Sequence, residues 1–430
     1  MSNRRPRFSQ SVVCAMVVAS WLIVFKSPLF AIPAFARKYD TKCSSCHTIF
    51  PRLNKTGYLS KRLGYSMPPD MEEDKPVPKI HSADKNIRWN LGDTLALVFQ
   101  TSATYDKTGA PEEPSTTNNS LNLDNALLFL GGTIPESNFS YFGEYKLYED
   151  GETALEKVLV QYTHGNVRQS FFVKGGKMQL QETSGFRGSD PLGLFREGPL
   201  MFTAVDPNLF TMDQAPTTIA AGFTWASMYY KQVLGLTMKV TNGLNADGSE
   251  IVQDSEKHSK DVWLQADYLF GPDGGVSFMG YFGRKYQVQN EGLENEFEYY
   301  PRIRRWGVFG NYLFFDKLDT ITGYMHGRDD WKWESNDTIL NYKNDSWYGE
   351  VDYYLQTGFA ATARYDWMRE KFDLQDGFLR TRAWTLGLQK TLTKQGNLCA
   401  RLSYMDQKIT DPADQIQTEK HLAADIRLGW

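Results

Sequence analysis

Beyond Phe25 the 430-residue chain lacks any run of the roughly 18 apolar residues that a membrane-spanning helix needs. With a mean hydropathy of −0.47, a polytopic helical membrane protein is excluded. Base is in short supply as well, 47 Lys and Arg against 51 Asp and Glu. Residues 1–36 hold four bases (Arg4, Arg5, Arg7, Lys26) and no acid, so without them 43 bases face 51 acids, a net charge of −8. That balance excludes a nucleic-acid partner. Cysteine is scarce: Cys14, Cys43, Cys46 and Cys399. Of the histidines, His164, His258, His326 and His421 are scattered without metal-ligand spacing and carry no assigned role.

Aromatic residues, by contrast, reach 14%, with 35 glycines beside them. In a polar chain this composition points to many strands with one apolar face.

The N-terminus reads as an export signal. Three arginines precede the apolar run Val12–Phe25, and Ala31, Ala34 and Ala36 offer small residues for cleavage, so residues 1–36 are assigned as a signal peptide. The exported protein then keeps Cys43, Cys46 and Cys399.

In an exported chain, Cys43-Ser44-Ser45-Cys46-His47 reads as a c-type haem attachment site. Two thiols three residues apart in a helical turn reach the two vinyl groups of one porphyrin, and the next histidine becomes the proximal iron ligand. One covalent c-type haem is therefore expected, on Cys43, Cys46 and His47. The alternative is a disulfide or redox pair, but residues 37–69 offer only short helical pieces, one near Leu53–Leu63, and no βαβ setting. So short a segment cannot enclose a haem alone, and another part of the protein must complete the pocket. Residues 70–86 read as a charged, proline-containing linker. Met67, Met71 and His81 are the nearest candidates for the distal ligand, with Met67 placed first.

From residue 87 onward apolar and polar residues alternate. Val262, Leu264, Ala266, Tyr268 and Phe270 alternate with Trp263, Gln265, Asp267 and Leu269. The polar faces often carry charge, which a soluble sandwich could not bury; apolar outside and polar inside is the transmembrane barrel pattern. Sixteen strands are predicted, near 88–105, 120–134, 139–148, 155–163, 168–179, 217–229, 232–241, 260–270, 275–287, 301–315, 318–328, 346–356, 359–369, 379–392, 397–406 and 421–430. Short links follow even-numbered strands and longer polar links, such as 329–345 and 407–420, follow odd ones, as periplasmic turns and outer loops do. The final strand ends on Trp430 after Leu422, Ala424, Ile426 and Leu428, a pattern suited to outer-membrane assembly. The longest link, 180–216, is the third outer loop and is expected to fold into the lumen. Cys399, between outward Leu398 and Ala400, is expected to face the lumen. The fold class is thus an all-β transmembrane barrel of about 16 antiparallel strands with a short α-helical monohaem cytochrome c segment, located in the bacterial outer membrane.

The run Ala34-Phe35-Ala36-Arg37-Lys38-Tyr39, then Cys43-Ser44-Ser45-Cys46-His47, Phe50-Pro51-Arg52-Leu53-Asn54 and Gly64-Tyr65 resembles the fused outer-membrane cytochrome–porins, the group that includes the ferrous-iron-oxidising monohaem cytochrome–porins. The resemblance covers about 33 residues and departs from the iron-oxidase pattern at Thr56-Gly57-Tyr58. It implies outer-sphere electron transfer from extracellular Fe(II) to a periplasmic cytochrome c, an Fe(II):cytochrome c oxidoreductase-type activity. Outer loops rich in acids, Glu112, Glu113, Asp247, Glu250, Asp254, Glu256, Glu291, Glu294, Glu296, Glu298, Asp329 and Asp330, would concentrate a dication or hold lipid-bridging cations. Outward electron transfer by the same haem, and a solute porin with a haem-bearing plug, are the alternatives.

Overall fold

The computed structural model describes residues 34–49, 52–70, 75–80, 94–110, 114–149, 152–179, 200, 216–242, 244–245, 260–271, 273–289, 297–299, 302–333, 338–355, 358–373, 377–393 and 398–429. Of the predicted signal peptide only Ala34, Phe35 and Ala36 are described, at the start of a short helix; residues 1–33 and Trp430 lie outside the described residues.

Among these, sixteen long strands form an antiparallel barrel: β1 (Leu95–Gly109), β2 (Thr116–Thr133), β3 (Phe139–Glu149), β4 (Glu152–Gly165), β5 (Gln169–Lys177), β6 (Thr217–Ala226), β7 (Val233–Thr241), β8 (Asp261–Phe270), β9 (Gly274–Gln289), β10 (Arg302–Phe314), β11 (Leu318–Trp333), β12 (Thr338–Leu355), β13 (Phe359–Phe372), β14 (Leu379–Thr391), β15 (Leu398–Thr410) and β16 (Ile416–Gly429). Pairing of β16 with β1, from Thr418↔Gly109 to Gly429↔Val98, closes the sheet and removes its edges. Ahead of the barrel come α1 (Ala34–Lys38) and α2 (Lys55–Arg62). No described helix is long and apolar enough to cross a membrane. The strands do the crossing.

The predicted alternation is the alternation of the walls. On β8, Leu264 and Tyr268 face out while Trp263, Gln265 and Asp267 are buried inside. On β15, Cys399 and Arg401 face the lumen and Leu402 faces out. Aromatic rings ring both ends of the outer surface. Phe139, Tyr162 and Phe171 lie near the short turns, and Trp306, Tyr324, Trp347, Tyr365 and Trp384 lie toward the other end. Two such girdles around an apolar band are what a membrane imposes on a barrel, and this is an outer-membrane β-barrel.

Several strands run longer at the outer end than predicted. Links expected at 329–345 and 407–420 shrink to 334–337 and 411–415 because β11, β12, β15 and β16 continue pairing. Above the apolar band both faces of a strand meet polar surroundings, the aqueous lumen inside and headgroups or water outside, so alternation stops although the ladder does not. Arg328, for example, donates to Asp330 at 2.9 Å and to Asn341 at 2.8 Å. The described part of β1 begins at Leu95, and the predicted start near residue 88 lies outside the described residues.

Inside the lumen, charges come in pairs. Arg364 donates to Asp366 at 2.7 Å and Arg401 to Asp425 at 2.7 Å, all four buried. Each partner keeps the other from being a lone buried charge. The backbone N–H of Leu200, in the third outer loop, donates to Asp366 on β13 at 3.2 Å. At that residue the loop lies inside the barrel, as expected for it.

Candidate functional site

The Cys43–His47 turn is clasped by the residues that follow it. Cys43–Ser45 form one 3-10 turn, and His47–Ile49 pair with Arg52–Leu53 through His47↔Leu53. Asn54 fastens this hairpin to α2. Its backbone N–H donates to the Cys46 carbonyl at 2.9 Å, and its amide donates to the carbonyls of Ser44 and Ser45 at 3.3 and 3.2 Å. The same side chain caps α2 by accepting the Gly57 N–H at 3.0 Å. Helix α2 ends at Leu63, and Gly64 follows at φ +72°, the left-handed conformation that stops a helix with little strain. Gly57 has a different role: a Cβ there would stand 2.2 Å from the Cys46 carbonyl oxygen, so the bare backbone is what lets α2 seat against the turn.

The segment lies within the barrel, at the end of the short turns. Arg62 is the main anchor. Its Nε donates to Thr224 at 2.7 Å and its Nη1 to Thr237 at 2.8 Å, while Nη2 donates to the carbonyls of Phe223 and Leu236 at 2.6 and 2.8 Å. The Tyr58 hydroxyl donates to Asp267 of β8 at 2.9 Å. Burial holds that hydroxyl well above the ordinary phenol range, so it remains a donor. Phe35, Tyr65 and Phe142 stack in sequence, with centroids 5.5 and 5.2 Å apart. Further along, the Pro69 carbonyl, at the end of the 37–69 segment, accepts from Tyr230, and Pro78 of the predicted linker accepts the Val167 N–H, so each is tied to a turn.

Asp273, in the β8–β9 turn, receives Thr48 Oγ1 at 2.7 Å and the Lys55 N–H at 3.2 Å. Its carboxyl is pushed above the usual range by burial, against the pull of those hydrogen bonds. Lys55 shifts down, again by burial. Mutual attraction would move both groups the other way, so for this half-buried pair desolvation outweighs it. A carboxyl whose folded pKa is raised stabilises docking most at low pH, and that contribution is lost as pH climbs from the ordinary carboxylate value through the raised one. Protease protection of residues 37–70 should therefore decline over that acidic window, and Asp273→Asn should flatten the decline. A profile identical in the variant would remove Asp273 from docking.

These residues fit a c-type haem. The Cys46 Sγ lies 4.0 Å from Met67 Sδ, which brings the first-placed distal candidate to the Cys43–His47 turn. Gly57 allows close packing around that turn. No described cluster of three His, Cys, Asp or Glu could hold a bare ion. The Cys43 side chain, Met71 and His81 lie outside the described residues. Of the predicted outer-loop acids, Asp329 is instead a lumen residue of β11 paired with Arg305, and Asp330 sits on the same strand beside Arg328. Glu298 belongs to the short strand Phe297–Tyr299, and the others lie outside the described residues. Sequence reasoning missed Tyr58, Arg62 and Asp267. The available signal was Asp267, an acid on a strand's inner face that needs a partner.

No protein-family model matches the chain, and no curated protein matches it. Solved structures share the barrel. The anion-selective porin of Comamonas acidovorans aligns at TM-score 0.55 and 11% identity, covering 78% of this chain and 99% of its own. OmpT of Vibrio cholerae, expressed in the outer membrane, aligns at TM-score 0.51 and 9% identity over 80% and 99%. The outer membrane channel DcaP of Acinetobacter baumannii aligns at TM-score 0.50 and 10% identity over 78% and 96%. At these identities the likeness is one of fold.

Proposed function

We propose that the chain is an outer-membrane c-type cytochrome–porin that carries electrons from extracellular Fe(II) to a soluble periplasmic cytochrome c. The observation that carries the reading is the seat of the Cys43–His47 turn, inside an outer-membrane barrel at the mouth formed by the short turns. Such turns face the periplasm in barrels of this kind. Cys43 and Cys46 are the tethers, His47 the proximal ligand and Met67 the distal candidate. A haem bound there supplies a one-electron centre whose potential follows its axial ligands and burial. Asn54 and Gly57 hold the attachment turn against α2, and Tyr58 and Arg62 hold α2 against β6, β7 and β8. The barrel wall supplies the enclosure that 33 residues lack. No proton-transfer residue is needed, since no bond to the donor breaks.

The test begins with covalent haem. Protein from a host that matures c-type cytochromes should stain for haem, and Cys43→Ser with Cys46→Ser should lose the stain while the barrel stays heat-modifiable on gels. Stopped-flow mixing of the oxidised protein with ferrous iron should then raise the reduced c-haem band within seconds. Protein without covalent haem would overturn the reading. Haem that dithionite reduces but Fe(II) does not would remove iron as the donor and favour outward flow.

A further inference from the structure

The outward surface of β10–β13 carries an unusual row of charge. Arg304 stands directly opposite Arg328, Arg328 opposite Lys343, and Lys343 opposite Lys371. All four side chains point away from the lumen, in step with exposed Trp306 and Trp347 on the same strand faces. Like charges directly opposite on neighbouring strands repel. Three successive repelling pairs form no favourable pattern for a bare sheet.

Nearby carboxylates compensate only in part. Asp330 accepts from Arg328 at 2.9 Å and lies 3.4 Å from Arg304. Asp373 is held below the usual carboxylate range, first by hydrogen bonds from Asn341 and further by the field of Lys343 and Lys371. In the next row down, Asp345 is taken up by Arg369 and His326. Arg302, opposite Asp330, adds a fifth outward cation, so against Asp330 and Asp373 the face keeps an excess of three positive charges.

Height fixes what can meet that excess. The row sits two residues above Trp306, His326, Asp345 and Arg369, about 7 Å along the strands. Tyr324 and Trp347, in the aromatic girdle just below, mark the boundary between acyl chains and headgroups. The row is at the end away from the short turns, and so on the outer leaflet. We propose that this face binds a phosphorylated glycolipid of the outer leaflet, with its phosphates on Arg304, Arg328, Lys343 and Lys371 and its acyl chains along the apolar strip below. A diphosphorylated glucosamine headgroup sets two separate anionic groups against that excess, on a row four strands wide.

Native mass spectrometry of the full-length protein in zwitterionic detergent, titrated with bisphosphorylated lipid A, tests this. The wild type should form a saturable one-lipid adduct. R328Q/K343Q should weaken it about tenfold, as should removal of the lipid phosphates. Binding equal to wild type in the variant would overturn the proposal. So would competition by millimolar inorganic phosphate, which would identify a free-phosphate site. A thermal melt guards against misfolding. Without lipid the variant should melt close to wild type, because the repulsion relieved offsets the Arg328 bonds to Asp330 and Asn341 that are lost, and with lipid A it should gain less. If the double variant does not fold, K343Q alone should show the same smaller gain with lipid A to a lesser degree, and a gain equal to wild type in it would equally overturn the proposal.

Discussion

Arg62→Met should release the N-terminal segment from the barrel while leaving the barrel intact. The guanidinium is buried and makes four hydrogen bonds to two adjacent strands. Methionine keeps the aliphatic stem and loses every donor. Thr224 and Thr237 would lose their partner, and Asp267, which shares Tyr58 with Arg62, would lose a nearby positive charge. Removing one member of a buried charged network costs about 3–5 kcal/mol, of which the escape of the threonine hydroxyls to water returns some. A net loss of about 3 kcal/mol lowers the protease protection of residues 37–70 roughly a hundredfold. Ion conductance through the lumen should rise in parallel, with heat-modifiability unchanged. Arg62→Lys should recover only part of the protection, since a single ammonium cannot span both strands. Protection unchanged in the methionine variant would mean that the segment is held elsewhere.

Gly57→Ala is the second large effect, and its sign is the informative part. Within a helix, alanine is favoured over glycine by about 1 kcal/mol, so propensity alone predicts a gain. Packing opposes it. The new Cβ meets the Cys46 carbonyl oxygen at 2.2 Å and Leu53 Cδ2 at 2.7 Å, and that carbonyl is fixed by the Asn54 N–H. A backbone atom cannot swing aside as a side-chain tip does, and overpacking costs about 1–3 kcal/mol, more for so close an approach. The net result should be a loss of about 2 kcal/mol, in which the attachment turn lifts from α2. Maleimide labelling of Cys46 in haem-free protein should accelerate, and covalent haem content should fall. Gly175→Ala, where a Cβ meets nothing within 4 Å, is the matched control and should do neither. Slower labelling in Gly57→Ala would show that helix propensity wins.

The barrel was legible in the sequence wherever a strand meets lipid on one face and the lumen on the other, because those two solvents write alternation into the chain. Residues 262–270 and 359–368 show it plainly. Above the aromatic girdle both faces meet polar surroundings, so the outer halves of β11, β12, β15 and β16 read as loop. The Cys43–His47 turn stands out in the sequence because its residues are adjacent. Its cradle does not: Arg62 meets Thr224 and Thr237 across more than 160 positions, and no short-range pattern records such a meeting. The cation row is hidden for a related reason. Arg304, Arg328, Lys343 and Lys371 each look like an isolated polar residue, and only register sets them side by side.

The walls that grip the segment have an order in time as well as in space. Arg37 donates to the Leu95 carbonyl on β1, Lys38 to Thr133 on β2, and Gln161 on β4 to the Arg62 carbonyl; the remaining anchors come from β6, β7, β8 and the turn after β8. These contacts fall on the first eight strands, while closure awaits β16, whose partner β1 lies more than 300 residues earlier. A chain crossing into the periplasm from its N-terminus delivers the attachment turn first, its cradle next and the sealing strand last. A group joined to Cys43 and Cys46 before β16 meets β1 would not have to pass through a closed lumen.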